Sequence, residues 1–250
     1  MPDAASPFRI AVAAMRVADD VAQNVAHMTA RIAQAAEAGA ALVCFPEYSL
    51  RPLNADWMDL TGAVETVRAA CQAHGIWAVF GGESGGADAR RNSLFLAGPD
   101  DEIRHRYDKV NLWGHEAEIF RPGTGAQVVQ VGPLRLGMLT CWDIAFPRNV
   151  ASLAEQGADL IVCSSCLVDF ELDAEPLLAL PLVRAVENLV WFVLCDFVSQ
   201  KTLSTSIICH PLGVRQSIRG AEGLMVQEID LADLARLRAY YASPAAEGRP

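Results

Sequence analysis

Three residues able to do chemistry each stand at or just past the end of an apolar run. Cys141 follows Leu136-Gly137-Met138-Leu139-Thr140. Glu47 follows Ala41-Leu42-Val43-Cys44-Phe45 and Pro46. Lys109 closes the segment from Ile103. A thiol, a carboxylate and an ammonium form a workable acyl-transfer set. The carboxylate takes the thiol proton, the thiolate attacks a carbonyl or nitrile carbon, and the ammonium stabilises the developing negative charge. Strand ends on one edge of an α/β sheet converge in space, so the three can meet. A helical pattern follows Cys141, and a helix N-terminus close by favours a thiolate over a thiol. Two plainer readings stay open. Cys141 can be a small packing residue, and the three can be unrelated polar groups. Spacing alone favours these.

The elements that must position the three alternate between strand and helix. Phe8 to Met15 reads as a buried strand. Apolar residues then recur at helical spacing from Val21 to Ala38, with Asp19 or Asp20 as a cap and Gly39 as a stop. Ala41 to Phe45 is a short strand, Thr61 to His74 a helix stopped by Gly75, and Ile76 to Phe80 a strand running into Gly81-Gly82. Ser93 to Ala97 and Ile103 to Lys109 pair as a hairpin across Pro99-Asp100-Asp101. A polar loop covers Asn111 to Gly125. A hairpin, Val128 to Val131 with Leu134 to Leu139, delivers Cys141. The order then repeats: helix Pro147 to Glu155, strand Leu160 to Cys163, a helix ending near Asn188, and strands Val190 to Cys195 and Thr205 to His210. Val214 to Ile218, a strand from Leu224 to Ile229 and a helix from Leu231 to Tyr241 follow. This is an α/β pattern with mixed sheets and a hint of internal repetition. No linker divides it, so residues 1–250 are expected to form one domain, with a core over about 8–241 and a tail over 242–250.

Three longer segments resemble the signature regions of the nitrilase superfamily of carbon–nitrogen hydrolases, in the family's order. They are Gly39-Ala40-Ala41-Leu42-Val43-Cys44-Phe45-Pro46-Glu47, then Tyr107-Asp108-Lys109-Val110-Asn111-Leu112-Trp113 with Glu116 and Phe120-Arg121-Pro122-Gly123, then Cys141-Trp142-Asp143-Ile144-Ala145-Phe146-Pro147. Asn92-Ser93, Gly157-Ala158-Asp159-Leu160-Ile161, Arg184-Ala185-Val186-Glu187-Asn188 and Pro211-Leu212-Gly213 fit as well, so the likeness runs from about Phe8 to Tyr241. The resemblance implies a four-layer α-β-β-α sandwich with two mixed β-sheets. It implies Cys141 as nucleophile, Glu47 as general base and acid, and Lys109 with the Trp142 backbone N–H as oxyanion donors. Glu116 would position substrate or base, and Cys166 would lie near the site mouth. No metal or organic cofactor is implied, and subunits of the family usually pair through helices near the site. Trp142-Asp143 mixes the amidase pattern, Tyr then Asp, with the nitrilase pattern, Trp then Glu. Arg148, Asp101 and Asp196 also depart from the common pattern. The expected activity is hydrolysis of a small non-peptide carboxamide or N-carbamoyl compound, of the amidase-like branch. Nitrile hydrolysis, acyl transfer to an amine, and a non-catalytic protein of the same fold are the alternatives.

Composition narrows the partners. With 250 residues, 52% hydrophobic and 20% charged, the chain can bury a full core. A net charge of -10 argues against nucleic acid and anionic membrane as partners. No signal-peptide pattern or membrane-length apolar run is read, and the seven cysteines lie mostly in apolar runs. A cytoplasmic protein forming a homodimer or larger homo-oligomer is expected. Gly82-Glu83-Ser84-Gly85-Gly86 matches a serine-hydrolase elbow, but a strand follows it where a helix is needed. Cys163-Ser164-Ser165-Cys166 has dithiol spacing but lies at a strand end, so Cys163 reads as packing. The five histidines show no ligand spacing. The acidic stretch Asp169 to Glu175 reads as a solvated face, with selection of amine-bearing substrates as its functional alternative.

Overall fold

A computed structural model describes residues 8–54, 56–100, 102–168 and 174–242. The first half runs β1 (Phe8–Ala14), α1 (Val21–Glu37), β2 (Leu42–Cys44), α2 (Thr61–His74), β3 (Trp77–Ser84), β4 (Arg91–Ala97) and β5 (Ile103–Asp108). The second runs α3 (Glu116–Ile119), β6 (Val129–Val131), β7 (Leu134–Thr140), α4 (Pro147–Glu155), β8 (Leu160–Ser165), α5 (Ala174–Asn188) and β9 (Trp191–Asp196). It closes with β10 (Thr205–His210), β11 (Gly213–Arg219), β12 (Gly223–Ile229) and α6 (Leu231–Ala242).

Two six-stranded mixed sheets result, in the orders β12-β1-β2-β3-β4-β5 and β11-β10-β9-β8-β7-β6. Starting from β12 in one sheet and β6 in the other, neighbours pair antiparallel, parallel, parallel, antiparallel, antiparallel in both. The internal repetition hinted at by the chain is therefore a repetition of strand pairing. β2 in one half corresponds to β8 in the other.

Strand alternation divides the core into layers. Ile10, Val12, Leu42, Cys44, Val79, Leu94 and Leu96 pack toward the second sheet. Their neighbours Ala11, Ala13, Val43, Phe45, Ala78, Phe80 and Phe95 pack outward with Met28, Ile32 and Ala35 of α1 and Val67 and Cys71 of α2. On the other side, Val150 and Leu153 of α4 and Ala185 of α5 join the core of the second sheet. The layers are thus α-β-β-α, as the family resemblance implies. Of the two candidate caps of α1, Asp20 acts, accepting from the N–H groups of Ala22 (2.8 Å) and Gln23 (3.2 Å). Gly75 ends α2 in the left-handed region, at φ 63°.

Some elements differ from expectation. β3 continues through Gly81-Gly82 to Ser84, and β8 runs two residues past Cys163. The polar loop after Lys109 contains α3, only four residues long. A 3-10 turn, Cys141–Ala145, stands between β7 and α4, so the thiol does not open directly onto the longer helix. Asp169, Glu171 and Asp173 of the acidic stretch, and the tail from residue 243, lie outside the described residues.

Candidate active site

Glu47 sits three residues past β2 in a turn that the packing over-determines. Tyr48 adopts φ 57°, a conformation that needs support in a residue other than glycine. Ser49 Oγ provides it: it accepts from Gly81 N (2.8 Å) and donates to Gly81 O (3.2 Å), while Leu50 N donates to Gly81 O (3.1 Å). The approach is so close that a Cβ on Gly81 would lie 2.5 Å from Tyr48 N. This explains why a glycine interrupts the apolar run of β3.

Lys109 follows β5. Its N–H donates to Asn92 O and its carbonyl accepts from Gly123 N, each at 2.8 Å. Gly123 is again set by crowding, since a Cβ there would meet Asp108 O at 2.0 Å. Cys141 terminates β7 at φ 47°. Asp143 holds this bend. Its carboxylate accepts from Tyr107 Oη (2.6 Å), Asn111 N (2.8 Å) and Thr140 N (3.1 Å). Asp143 therefore ties the thiol's turn to the segment carrying Lys109.

These three segments bring Glu47, Lys109, Glu116 and Cys141 to one cavity of about 360 Å³. Lys109 Nζ lies 2.9 Å from Glu47 Oε1 and 2.8 Å from Glu116 Oε2. Glu47 Oε2 accepts from Cys166 N (2.9 Å), and Glu116 Oε2 from Trp113 N (2.7 Å). Two further members escaped sequence reasoning. Tyr48 donates its hydroxyl proton to Glu116, and Asn92 Nδ2 lies 2.6 Å from Glu47 Oε1, 2.9 Å from Tyr48 Oη and 3.1 Å from Glu116 Oε1. Asn92 belongs to a segment whose place in the family pattern was visible, but only tertiary structure aims its amide at the carboxylates.

Cys141 Sγ lies 3.7 Å from Cys166 O. Cys166, half-buried, lines the same cavity. Trp142 lies off this cavity, in a small adjoining hollow with Cys141 and Cys166, its ring edge-on to Phe146. His115 is exposed and also lines the cavity. Cys163 is fully buried, as packing requires. Ser84 is followed by a three-residue 3-10 turn, Ala87–Ala89, and then β4 in place of an α-helix, and its hydroxyl bonds to Ser93 Oγ at 2.8 Å.

Burial dominates the electrostatics. It pushes the Cys141 thiol well above the ordinary range, Glu47 adds to the rise, and Lys109 opposes it. Burial thus favours the protonated thiol over the thiolate that a helix end alone would favour. Burial also raises Glu47, against the pull of Lys109 and with Glu116 pushing the same way. For Lys109 burial opposes the charge, but Glu47, Cys141 and Glu116 outweigh it and hold the ammonium firmly protonated. The arrangement is a buried thiol, a buried carboxyl group and a buried cation on one cavity. Among the described residues no group of three or more His, Cys, Asp or Glu is placed to hold a metal ion.

Residues 9–239 match the family model described as carbon-nitrogen hydrolase, and the chain belongs to that family. A protein of Mycobacterium tuberculosis described as a hydrolase is 34% identical over 171 residues, covering 63% of this chain and 61% of its own length. A nitrilase of Pyrococcus abyssi is 33% identical over 63% of this chain and 60% of its own. This chain thus spans about three-fifths of the length of these two relatives. The omega-amidase of Homo sapiens is 25% identical over 92% of this chain and 91% of its own. Among solved structures, an amidase of Nesterenkonia from the nitrilase superfamily superposes with a TM-score of 0.81 at 25% identity, over 94% of this chain and 97% of that one. Another structure of that amidase, a mutant, carries acrylamide added at its active-site cysteine.

Proposed function

We propose that this chain hydrolyses a small carboxamide or N-carbamoyl compound to an acid and ammonia through a thioester on Cys141. The observation that carries the reading is the convergence of Glu47, Lys109 and Cys141 in one cavity. Cys141 Sγ attacks the carbonyl carbon while its proton passes to Glu47. The carbonyl oxygen becomes an oxyanion held by Lys109 and the Trp142 N–H. Collapse breaks the C–N bond, Glu47 returns the proton to the leaving nitrogen, and ammonia departs. Water, deprotonated by Glu47, then attacks the thioester, and the sulfur leaves and is reprotonated. Glu116 and Asn92 keep Lys109 and Glu47 in register. Intact-protein mass spectrometry during turnover of an amide panel tests this. An acyl adduct on the wild type, absent in Cys141→Ala, is expected; turnover by that variant overturns it.

The working unit in this reading is a single hydrolase domain over about residues 8–241 that pairs with a second copy. Val186 of α5, Leu212 and Tyr241 of α6 share one apolar hollow and are 49%, 62% and 59% exposed. Val183 and Tyr240 extend the surface. A reducing, cytoplasmic setting fits seven free thiols, six of them buried. No described helix is long and apolar enough to cross a membrane.

A further inference from the structure

Of the chain's twenty basic residues, eighteen are arginines and two are lysines, Lys109 and Lys201. Both lysines line the same 360 Å³ cavity. Lys109 is engaged by Glu47 and Glu116 on the floor. Lys201 is exposed at the rim, and among the described residues it forms no ion pair.

The loop that carries Lys201 is built to hold it. Ser204 adopts φ 48°. Its hydroxyl accepts from Ser199 N (3.0 Å) and donates to Ser199 O (2.7 Å). Thr202 Oγ1 donates to Phe197 O (2.6 Å), and Lys201 N donates to Ser199 Oγ (3.1 Å). Leu203 N donates to Leu167 O (2.8 Å), fastening the loop to the strand end beside Cys166. A strained, internally hydrogen-bonded loop of this kind is a way to preorganise one group.

Between floor and rim the wall is apolar, formed by Pro52, Leu53, Val168 and Phe197. The floor sets the Glu47 and Glu116 side chains around the one ammonium, so a substrate anion finds an unpaired cation only at the rim. We infer that Lys201 selects amides whose acyl chain ends in a carboxylate, with the amide at Cys141 and the carboxylate at the rim. This inference rests on the amide-hydrolysis reading. At about 30 Å³ per small group, the cavity takes roughly a dozen non-hydrogen atoms. A five-carbon amido acid fits that size.

The test compares ammonia release from pentanamide, 5-amino-5-oxopentanoate and 5-aminopentanamide, which are neutral, anionic and cationic at one chain length. Wild type should show a kcat/KM about tenfold higher for the anionic amide than for the neutral one. Lys201→Met should raise KM for the anionic amide by that factor and leave the neutral amide unchanged. Lys201→Glu should shift preference to the cationic amide. A wild type that prefers the neutral or cationic amide, or a Lys201→Met effect equal on all three, overturns the inference. If none of the three releases ammonia, the hydrolysis reading fails for such amides, and the rim site is decided separately by glutarate. Glutarate that slows iodoacetamide alkylation of Cys141 in wild type, but not in Lys201→Met, supports it. Equal protection in both, or none, overturns it.

Discussion

At the scale of the residue, what matters is where protons rest among buried ionisable groups. Burial and Glu47 push the Cys141 thiol toward its protonated form against the pull of Lys109, so the proposed reaction needs Glu47 to take that proton as sulfur attacks. Glu47→Gln keeps the shape and removes the base, and its single amide oxygen can accept from Asn92 Nδ2 or from Cys166 N but not from both. Its kcat should fall by about 10²–10⁴, with a modest fall in melting temperature because one buried donor loses its acceptor while Lys109 keeps Glu116. Ammonia release and thermal unfolding of the same sample check this. Asp196 offers a second case. It is fully buried at the end of β9 and accepts from Leu167 N (2.9 Å) and Thr205 N (3.2 Å). Burial pushes its carboxyl up to about 7 against these donors. An unfolded aspartate titrates near about 4, so between about pH 4 and 7 the native state binds the extra proton. The stability tied to this group is therefore fully present below that window and is lost as pH rises through it, levelling above. Asp196→Asn should flatten that part of the profile. Melting curves of both proteins at about pH 5 and about pH 8 measure it; an equal drop in the two would remove Asp196 as the cause.

At the scale of the element, positions are set by close approach between segments distant in sequence. Gly81→Ala places a methyl 2.5 Å from Tyr48 N and 2.9 Å from Glu47 Cα. A loss of about 1–3 kcal/mol is expected, together with a fall in kcat, because the turn that must yield is the one carrying Glu47. Gly62→Ala in α2 is the matched control. Nothing lies within 4 Å of its added Cβ, and a gain of about 0.4–1 kcal/mol is expected. Denaturant unfolding of both variants and amide turnover separate the two cases. The same contrast marks what was legible in the sequence. α2 and its Gly75 stop follow from local periodicity and could be read directly. Glu47, Lys109 and Cys141 stand at or just past strand ends, but it was the resemblance of the segments around them to the family's signature regions that singled them out. Gly81 read as a strand terminator, whereas β3 passes through it. The reason it must be glycine lies in residues 47 and 48. α3 is too short to show a period, and Tyr48 and Asn92 declare themselves only when three strand ends meet.

At the scale of the whole molecule, the repeated strand pairing puts β2 and β8 in corresponding places, and the contacts between the halves serve the site. Ser164 Oγ of β8 donates to Phe45 O just past β2 (2.7 Å), and Cys166 N donates to Glu47 (2.9 Å). The outer face is coupled to the site as well. Arg184 of α5 is buried, and its Nε donates to Ile144 O (3.0 Å) in the turn that begins at Cys141. Two positions along the same helix, Val186 is half-exposed in the hollow with Leu212 and Tyr241. If a second copy covers this face, pairing steadies α5 and, through Arg184, the turn that carries the thiol. Val186→Asp and Leu212→Asp each place a charge in an apolar contact without touching Arg184 or the cavity. Light scattering should find the wild type dimeric or larger at micromolar concentration and the double variant monomeric, with far-UV circular dichroism unchanged. The kcat of the monomer should fall several-fold while Cys141 remains alkylable. A wild type that is monomeric, or a monomeric variant with undiminished kcat, would separate the assembly from the chemistry and leave Arg184 as a purely internal brace.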